Sequence, residues 1–122
     1  MFEVSVEYSF SAGHALRHYK GKCENVHGHN YKVRVTVAGE GLDRAGLLVD
    51  FSELKTGLRA LVDRLDHQFL NDLEPFDEVN PSAENLAKYI SDGIAPRLEG
   101  REFQLHSVTV WETDSSSATY RP

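Results

Sequence analysis

Two segments in the first third of the chain alternate apolar and polar residues with the two-residue period of a half-buried β-strand. They are residues 2–10, which read FEVSVEYSF, and residues 31–37, which read YKVRVTV. The pattern predicts two strands that pair with each other, and it makes the stretch from position 14 to position 29 a long excursion between them. Connections of this length without regular structure are uncommon in compact domains and are often functional.

Two later segments carry apolar residues at helical spacing. Asp50 and Glu53 have the spacing of a capping box, with aspartate in place of the usual serine or threonine. A first helix is therefore predicted at about residues 51–65, where the apolar positions are Leu54, Leu58, Leu61, Val62 and Leu65. A second helix is predicted to begin at residues 80–82, because proline suits the first helical turn, and to stop at Pro96.

Two further strands are predicted at residues 105–113 and 118–121. The order of elements is then ββααββ, which is typical of an α+β fold with two helices on one face of a four-stranded antiparallel sheet. We expect a single domain over residues 1–122. The second face of the sheet and both of its edges need protection, and self-association is the simplest way to supply it. The sequence therefore predicts a homo-oligomer.

The composition narrows the function classes. At 122 residues, with 40% hydrophobic and 26% charged residues, the chain is an ordinary single globular domain. No apolar stretch approaches the ~20 residues of a membrane span, and no secretory signal is visible. A single cysteine cannot form an intrachain disulfide, so we expect a cytoplasmic protein. The net charge of −6 argues against a nucleic-acid partner. A basic stretch at residues 14–22 is either a site for a small polyanion such as a phosphate ester or a solvated loop.

Three histidines and the only cysteine lie within sixteen positions, at His14, Cys23, His27 and His29. If residues 27–29 are extended, His27 and His29 point to the same face of the strand, and His14 can add a third imidazole from an adjacent strand. Three nitrogen ligands leave one tetrahedral position open, as in a catalytic zinc site. Cys23 is then a thiolate base or nucleophile, a fourth ligand that closes a structural site, or an inert buried thiol.

Two acidic positions are candidates for further chemistry. Asp66 and His67 form either an acid–base pair, in which the carboxylate orients the imidazole, or a simple cap at the end of the first helix. Glu112 follows Val108 and Val110 on one strand face, where a carboxylate needs a partner. A ligand with two parallel N–H donors, such as the amino-pyrimidine edge of guanine or a pterin, would supply one. The alternative is an edge carboxylate open to water.

Six segments, in this order, resemble the 6-pyruvoyltetrahydropterin synthase / 6-carboxytetrahydropterin synthase family and together span nearly the whole chain. They are FSAGH at 10–14, CENVHGHNY at 23–31, VDFSELK at 49–55, LDHQFLN at 65–71, NPSAENL at 80–86 and VWET at 110–113. The resemblance implies the tunnelling fold, in which subunits join their sheets into a trimeric barrel. Two trimers usually pair into a hexamer, with active sites at the subunit interfaces.

The resemblance also implies roles for the candidate residues. The three histidines hold Zn²⁺, and Cys23 is the catalytic base and not a ligand. Asp66 and His67 are the acid–base pair, acting on a substrate held against another subunit's cysteine. Glu112 anchors the amino-pyrimidine edge of the pterin, and Ser82 falls where relatives often carry a threonine near the pterin.

The substrate that the resemblance implies is the small molecule 7,8-dihydroneopterin triphosphate. Elimination of triphosphate alone gives 6-pyruvoyltetrahydropterin, whereas cleavage of the side chain as well releases acetaldehyde and leaves 6-carboxytetrahydropterin, a precursor of queuosine. Three residues separate Cys23 from His27, as in the bacterial carboxy-forming members. We therefore expect a 6-carboxytetrahydropterin synthase, which is a carbon–carbon lyase. The alternatives are a pyruvoyl-forming enzyme and a non-catalytic module that binds zinc and a pterin.

Overall fold

The computed structural model describes residues 1–20 and 25–122, which form one sheet and two helices. The strands are β1 (Phe2–His14), β2 (His27–Gly39), β3 (Gln68–Phe69), β4 (Phe103–Thr113) and β5 (Ser116–Tyr120). The helices are α1 (Phe51–Val62) and α2 (Ala83–Ile94), and short 3₁₀ turns follow at Leu70–Asp72 and Ala95–Leu98. The order across the sheet is β3-β1-β2-β4-β5, antiparallel except for the β1–β3 pair. The predicted α+β class is confirmed.

The prediction of four strands is wrong, because the short strand β3 adds a fifth. Its two residues pair in parallel with Ala12 and Gly13 at the outer edge of β1. The chain can turn there because α1 ends at Val62, earlier than residue 65, and His67 adopts a positive φ of 58°. A residue in that conformation cannot continue a right-handed helix.

The first two strands are longer than their apolar alternation indicates. They pair without interruption from Phe2 opposite Gly39 to His14 opposite His27. The excursion between them is therefore shorter than predicted and starts after His14. The alternation fades at Ala12, Gly13 and Gly28, but backbone hydrogen bonding carries the ladder on.

Polar side chains set where both helices begin. The Asp50 carboxylate accepts the Ser52 N–H at 2.8 Å and caps α1 as predicted, whereas Glu53 pairs with Arg101 at 3.0 Å and does not complete a capping box. Ser82 caps α2 through its hydroxyl oxygen. Pro81 therefore precedes the cap and does not lie in the first helical turn, which corrects the predicted start of this helix.

The core lies between the helices and one face of the sheet. Its fully buried members come from strands β1, β2 and β4 and from the inner faces of α1 and α2, and they include Phe10, Tyr31, Val33, Val35, Leu58, Leu86, Ile90, Val108 and Val110. The opposite face is polar, and its side chains bond across the strands. Ser5 bonds Thr36 at 2.7 Å, and Glu7 pairs with Arg34 at 2.7 Å. Within the described residues no helix is long and apolar enough to cross a membrane.

Strand β4 carries an extra residue. Its register with β2 slips between Thr36, which pairs with Ser107, and Val37, which pairs with Leu105, so His106 has no partner in β2. A one-residue bulge reverses the alternation of side chains. Odd-numbered positions before the bulge and even-numbered positions after it therefore face the core, and Glu112 points to the helix side of the sheet.

Candidate active site

The three histidines converge at one end of the β1–β2 ladder. His14 ends β1 directly opposite His27, the first residue of β2, and His29 lies two positions further on the same face. The regular extension of both strands produces this arrangement, since residues two apart in a strand share a face. The expected placement of the imidazoles is therefore borne out.

The donor atoms of this cluster are close enough to share one ion. The Nε2 atoms of His14 and His27 are 2.9 Å apart, and the ring centroids of the three histidines lie 4.5–5.0 Å from one another. One ligand atom from each histidine and one from Glu112 all fall within 4.8 Å of each other. Nitrogens around a tetrahedral zinc stand about 3.4 Å apart, so the set suits zinc. Imidazole sites also accept other divalent ions.

Glu112 belongs to this cluster as well as to β4. Its carboxylate oxygen Oε1 lies 2.9 Å from His29 Nε2 and 3.9 Å from His14 Nε2, and its side chain is 31% exposed. The β4–β5 register slips here, between Trp111 and Thr113. Bulges often re-aim a side chain beside an active site. Sequence reasoning considered this carboxylate as a partner for a ligand or as an edge group open to water, and it did not find the approach to the histidines.

Tyr31 and Pro81 form an outer shell around His14 that sequence reasoning missed. The buried His14 ring places Nδ1 2.8 Å from the Pro81 carbonyl oxygen and 3.1 Å from the Tyr31 hydroxyl. A proton on Nδ1, donated to that carbonyl, leaves the Nε2 lone pair for an ion. Burial raises the pKa of the Tyr31 phenol well above its ordinary value, and the Glu112 carboxylate adds to the rise. Tyr31 therefore stays neutral.

Asp66 and His67 are held as a pair on the edge of β1. The Asp66 carboxylate oxygen Oδ1 accepts the Ser11 N–H at 2.9 Å and lies 3.0 Å from His67 Nδ1, while the His67 N–H donates to the Ser11 carbonyl. The Ser11 N–H, helped by the hydrogen bond from His67, lowers the pKa of Asp66. Because α1 ends at Val62, His67 is not in its last turn. The cap interpretation is therefore wrong, and the geometry is that of a carboxylate orienting an exposed imidazole.

One open cavity lies beside His67 and next to His29. Its volume is about 520 Å³, and its lining includes Ser11, Gly13, His29, Asn30, His67 and Phe69. A ligand in this space can contact His67 of the acid–base pair and His29 of the histidine cluster, the one member of each group that lines the cavity.

The remaining sequence candidates have different outcomes. Cys23 and Lys22 lie outside the described residues. Ser82 is next to the site through Pro81, and its hydroxyl oxygen accepts the Asn85 N–H at 3.2 Å as the helix cap. In the basic stretch, Arg17 turns inward and donates to the Phe76 carbonyl at 2.7 Å, while His18 and Lys20 are exposed.

Comparison with known proteins defines the class to which this fold and site belong. The family model described as 6-pyruvoyl tetrahydropterin synthase matches residues 3–122. The chain is 40% identical to 6-carboxy-5,6,7,8-tetrahydropterin synthase of Synechocystis sp., across 98% of this chain and 93% of that protein. It is 39% identical to the Bacillus subtilis protein of the same name, across 99% of this chain and 86% of the relative. The structure of Caenorhabditis elegans 6-pyruvoyl tetrahydropterin synthase has a TM-score of 0.82 and 33% identity, and the match covers 100% of this chain and 97% of that one.

The chain belongs to the 6-pyruvoyl tetrahydropterin synthase family. The resemblance drawn from its six segments is thereby confirmed, and so is the expectation that it is a lyase of this family.

Proposed function

We propose that this protein converts 7,8-dihydroneopterin triphosphate and water to 6-carboxy-5,6,7,8-tetrahydropterin, acetaldehyde and triphosphate, as a step toward queuosine. The observation that carries the proposal is the convergence of three imidazoles and Glu112 on one possible metal site. His29 of this cluster and His67 line the same cavity. Relatives named 6-carboxy-5,6,7,8-tetrahydropterin synthase match nearly the whole chain and support the choice of product.

Zinc is the proposed metal, held by His14, His27 and His29 in the donor set described above. When bound, zinc would act as a Lewis acid toward oxygen atoms of the substrate side chain. The protein's own residues do the rest. The Pro81 carbonyl fixes the His14 ring through Nδ1, and the Ser11 backbone fixes Asp66, which in turn orients the His67 imidazole.

Proton transfer is assigned to Cys23, Asp66 and His67. The Cys23 thiolate takes the carbon-bound proton of the substrate side chain, and the basic residues close to it in the sequence favour that thiolate. His67, oriented by Asp66, moves protons to and from the side-chain oxygens. The low pKa of Asp66 supports this role, because the carboxylate stays ionised whenever the imidazole takes up a proton.

Glu112 is proposed to anchor the amino-pyrimidine edge of the pterin. When His29 Nε2 binds a cation it carries no proton, so it cannot donate to the carboxylate that lies 2.9 Å away. Glu112 is then available to accept two N–H bonds from the ligand. Ser82 caps α2 and directly follows Pro81, whose carbonyl contacts His14. Ser82 is proposed to lie near the pterin only because of this position beside the His14 ring.

The proposed assembly is a cytoplasmic homohexamer, a dimer of trimers in which sheets join into barrels. Two edges of the described sheet are open for this purpose, along β5 and along most of β1. Its ligand is a small molecule, and neither a nucleic acid nor a membrane is a proposed partner.

The test is to incubate the zinc-loaded protein with 7,8-dihydroneopterin triphosphate and identify the products by mass spectrometry. Carboxytetrahydropterin with acetaldehyde supports the proposal, whereas pyruvoyltetrahydropterin alone overturns the choice of product. Turnover by Cys23→Ala at the wild-type rate contradicts the assignment of the base. His27→Ala is expected to lose zinc, and His106→Ala, which changes a histidine outside the cluster, is the matched control. A protein that holds zinc and turns over nothing is a binding module.

A further inference from the structure

Two asparagines grip the chain where it leaves the metal-binding strand. The Asn71 side chain accepts the Ala15 N–H at 2.9 Å and donates to the Ala15 carbonyl at 2.7 Å. The Asn80 side chain does the same for Arg17, at 2.8 Å and 2.7 Å. Each amide therefore satisfies both backbone groups of one residue. We call these two contacts the asparagine clasps.

The asparagine clasps bond the chain just after the end of strand β1. Strand β3 pairs with β1 at Ala12 and Gly13, and the clasps then engage positions 15 and 17. Strand β1 ends at His14, and Arg17 already lies in a turn. The two carboxamides therefore bond the backbone of a stretch that lies beyond the strand.

Each clasp joins the exit from His14 to a different part of the site. Asn71 lies in the 3₁₀ turn that directly follows β3 and is four residues from His67. Asn80 immediately precedes Pro81, whose carbonyl lies 2.8 Å from His14 Nδ1. The backbone carbonyl of Asn80 is itself held by the Asn85 side chain at 2.9 Å, within the first turns of α2.

We propose that Asn71 and Asn80 are positioning residues: Asn80 fixes the Pro81 carbonyl against the metal ligand His14, and Asn71 fixes the Asp66–His67 pair against the same strand. Neither side chain is assigned contact with the metal or the substrate. The role of Asn71 in turnover rests on the proposed function, whereas the effect of Asn80 on metal binding does not.

The experiment compares Asn71→Ala and Asn80→Ala with Asp43→Ala. Asp43 is a matched control, because its carboxylate holds a loop through the Ala45 and Leu47 N–H groups at 2.8 and 3.0 Å, outside the described site. All three changes remove bonds from a side chain to the backbone. A general loss of stability would therefore lower the unfolding temperature of all three variants. A positioning role would instead give each variant a different effect on zinc affinity and turnover.

For Asn80→Ala, zinc affinity measured by chelator competition is expected to fall about tenfold, as for other outer-shell changes. Asn71→Ala and Asp43→Ala are expected to keep wild-type zinc affinity. If Asn80→Ala does not fold, Asn80→Asp replaces it, because it keeps the acceptor for the Arg17 N–H. Its added negative charge alone would tighten zinc binding, so weaker binding reports lost positioning. Wild-type affinity in the Asn80 variant, or an equal loss in Asp43→Ala, overturns this half of the proposal.

For Asn71→Ala, kcat is expected to fall about 10- to 100-fold with KM nearly unchanged, the size expected of a misplaced catalytic group. Amide hydrogen exchange at Ser11 and His67 is expected to become faster, and this readout does not need turnover. Unchanged exchange at both amides overturns the assignment of Asn71. If the wild-type protein turns over no pterin, the proposed function fails, while the exchange and zinc measurements still decide the proposal.

Discussion

Replacing Glu112 by glutamine separates the two roles that its position allows, pterin anchor and metal ligand. A carboxylate that accepts two N–H bonds gains about 1.5–3 kcal/mol from each. Glutamine keeps one neutral acceptor, worth about 0.5–1.5 kcal/mol, and turns an NH₂ group toward the second donor. Because the Glu112 side chain is 31% exposed, the lower part of the charged range applies. Two charged bonds at about 1.5 kcal/mol each, less one neutral bond at about 1 kcal/mol, give an expected loss of about 2 kcal/mol, or about 30-fold in the Kd of the pterin.

The assay is calorimetric titration of the zinc-loaded protein with 7,8-dihydroneopterin, which lacks the triphosphate and so reports the ring contacts. Zinc affinity is measured on the same samples by chelator competition and is expected to change little. Glu53→Gln, which removes a carboxylate paired with Arg101 on α1, is the control for the loss of one negative charge. Wild-type pterin binding by Glu112→Gln together with weakened zinc binding would refute the anchor role and make this carboxylate a metal ligand.

Three further outcomes are expected. Leu58→Ala, at a fully buried position of α1, should lower the free energy of unfolding in urea by about 2–5 kcal/mol. Lys55→Ala on the exposed side of α1 should change this free energy by no more than about 0.5 kcal/mol. Equal effects of the two substitutions would contradict the packing described. The pKa of Asp66 is lowered in the folded state, so its carboxylate stabilises the fold above its ordinary value of 3.8 and loses that effect as the pH falls through the lower folded value. Asp66→Asn should therefore unfold at a lower temperature than wild type at neutral pH, and the gap should close in acid; a gap independent of pH would refute the linkage. Zinc at a thousand times its Kd should add about 4 kcal/mol to the stability, and His29→Ala should abolish that gain; an equal gain in the variant would place the metal elsewhere.

The elements with strong periodicity could be predicted from the sequence. The alternation in residues 2–10 and 31–37 and the helical leucines of α1 report burial directly, and the structure buries most of those positions fully or in part. Phe2, at the start of β1, is the exception and is 47% exposed. The ends of the strands could not be predicted, because residues such as Gly13 and Gly28 carry no apolar signal while they continue the ladder. Strand β3 is two residues long and pairs with a strand more than fifty positions away, so no local pattern indicates it.

The candidate site also has one part that could be predicted from the sequence and another that could not. The two-residue spacing of His27 and His29 is a local property, and it was enough to predict a shared face. The approach of Glu112 to His29 depends on how β4 lies in the sheet and on two bulges in it, and sequence reasoning placed neither bulge. The contacts of His14 with Pro81 and Tyr31 join distant parts of the chain, so they appear only once the fold is known.

The bulge at His106 also makes the strand β4 unequal in its tolerance of insertions and deletions. Leu105 and Ser107 already face adjacent residues of β2, so a chain that lacked His106 would restore a regular ladder with every other pairing unchanged. A deletion between Ser107 and Glu112 would instead shift the carboxylate by one position and turn it to the polar face. Loss of the bulge residue is therefore expected to leave the site intact, whereas a deletion between Ser107 and Glu112 is expected to displace the carboxylate from the histidines.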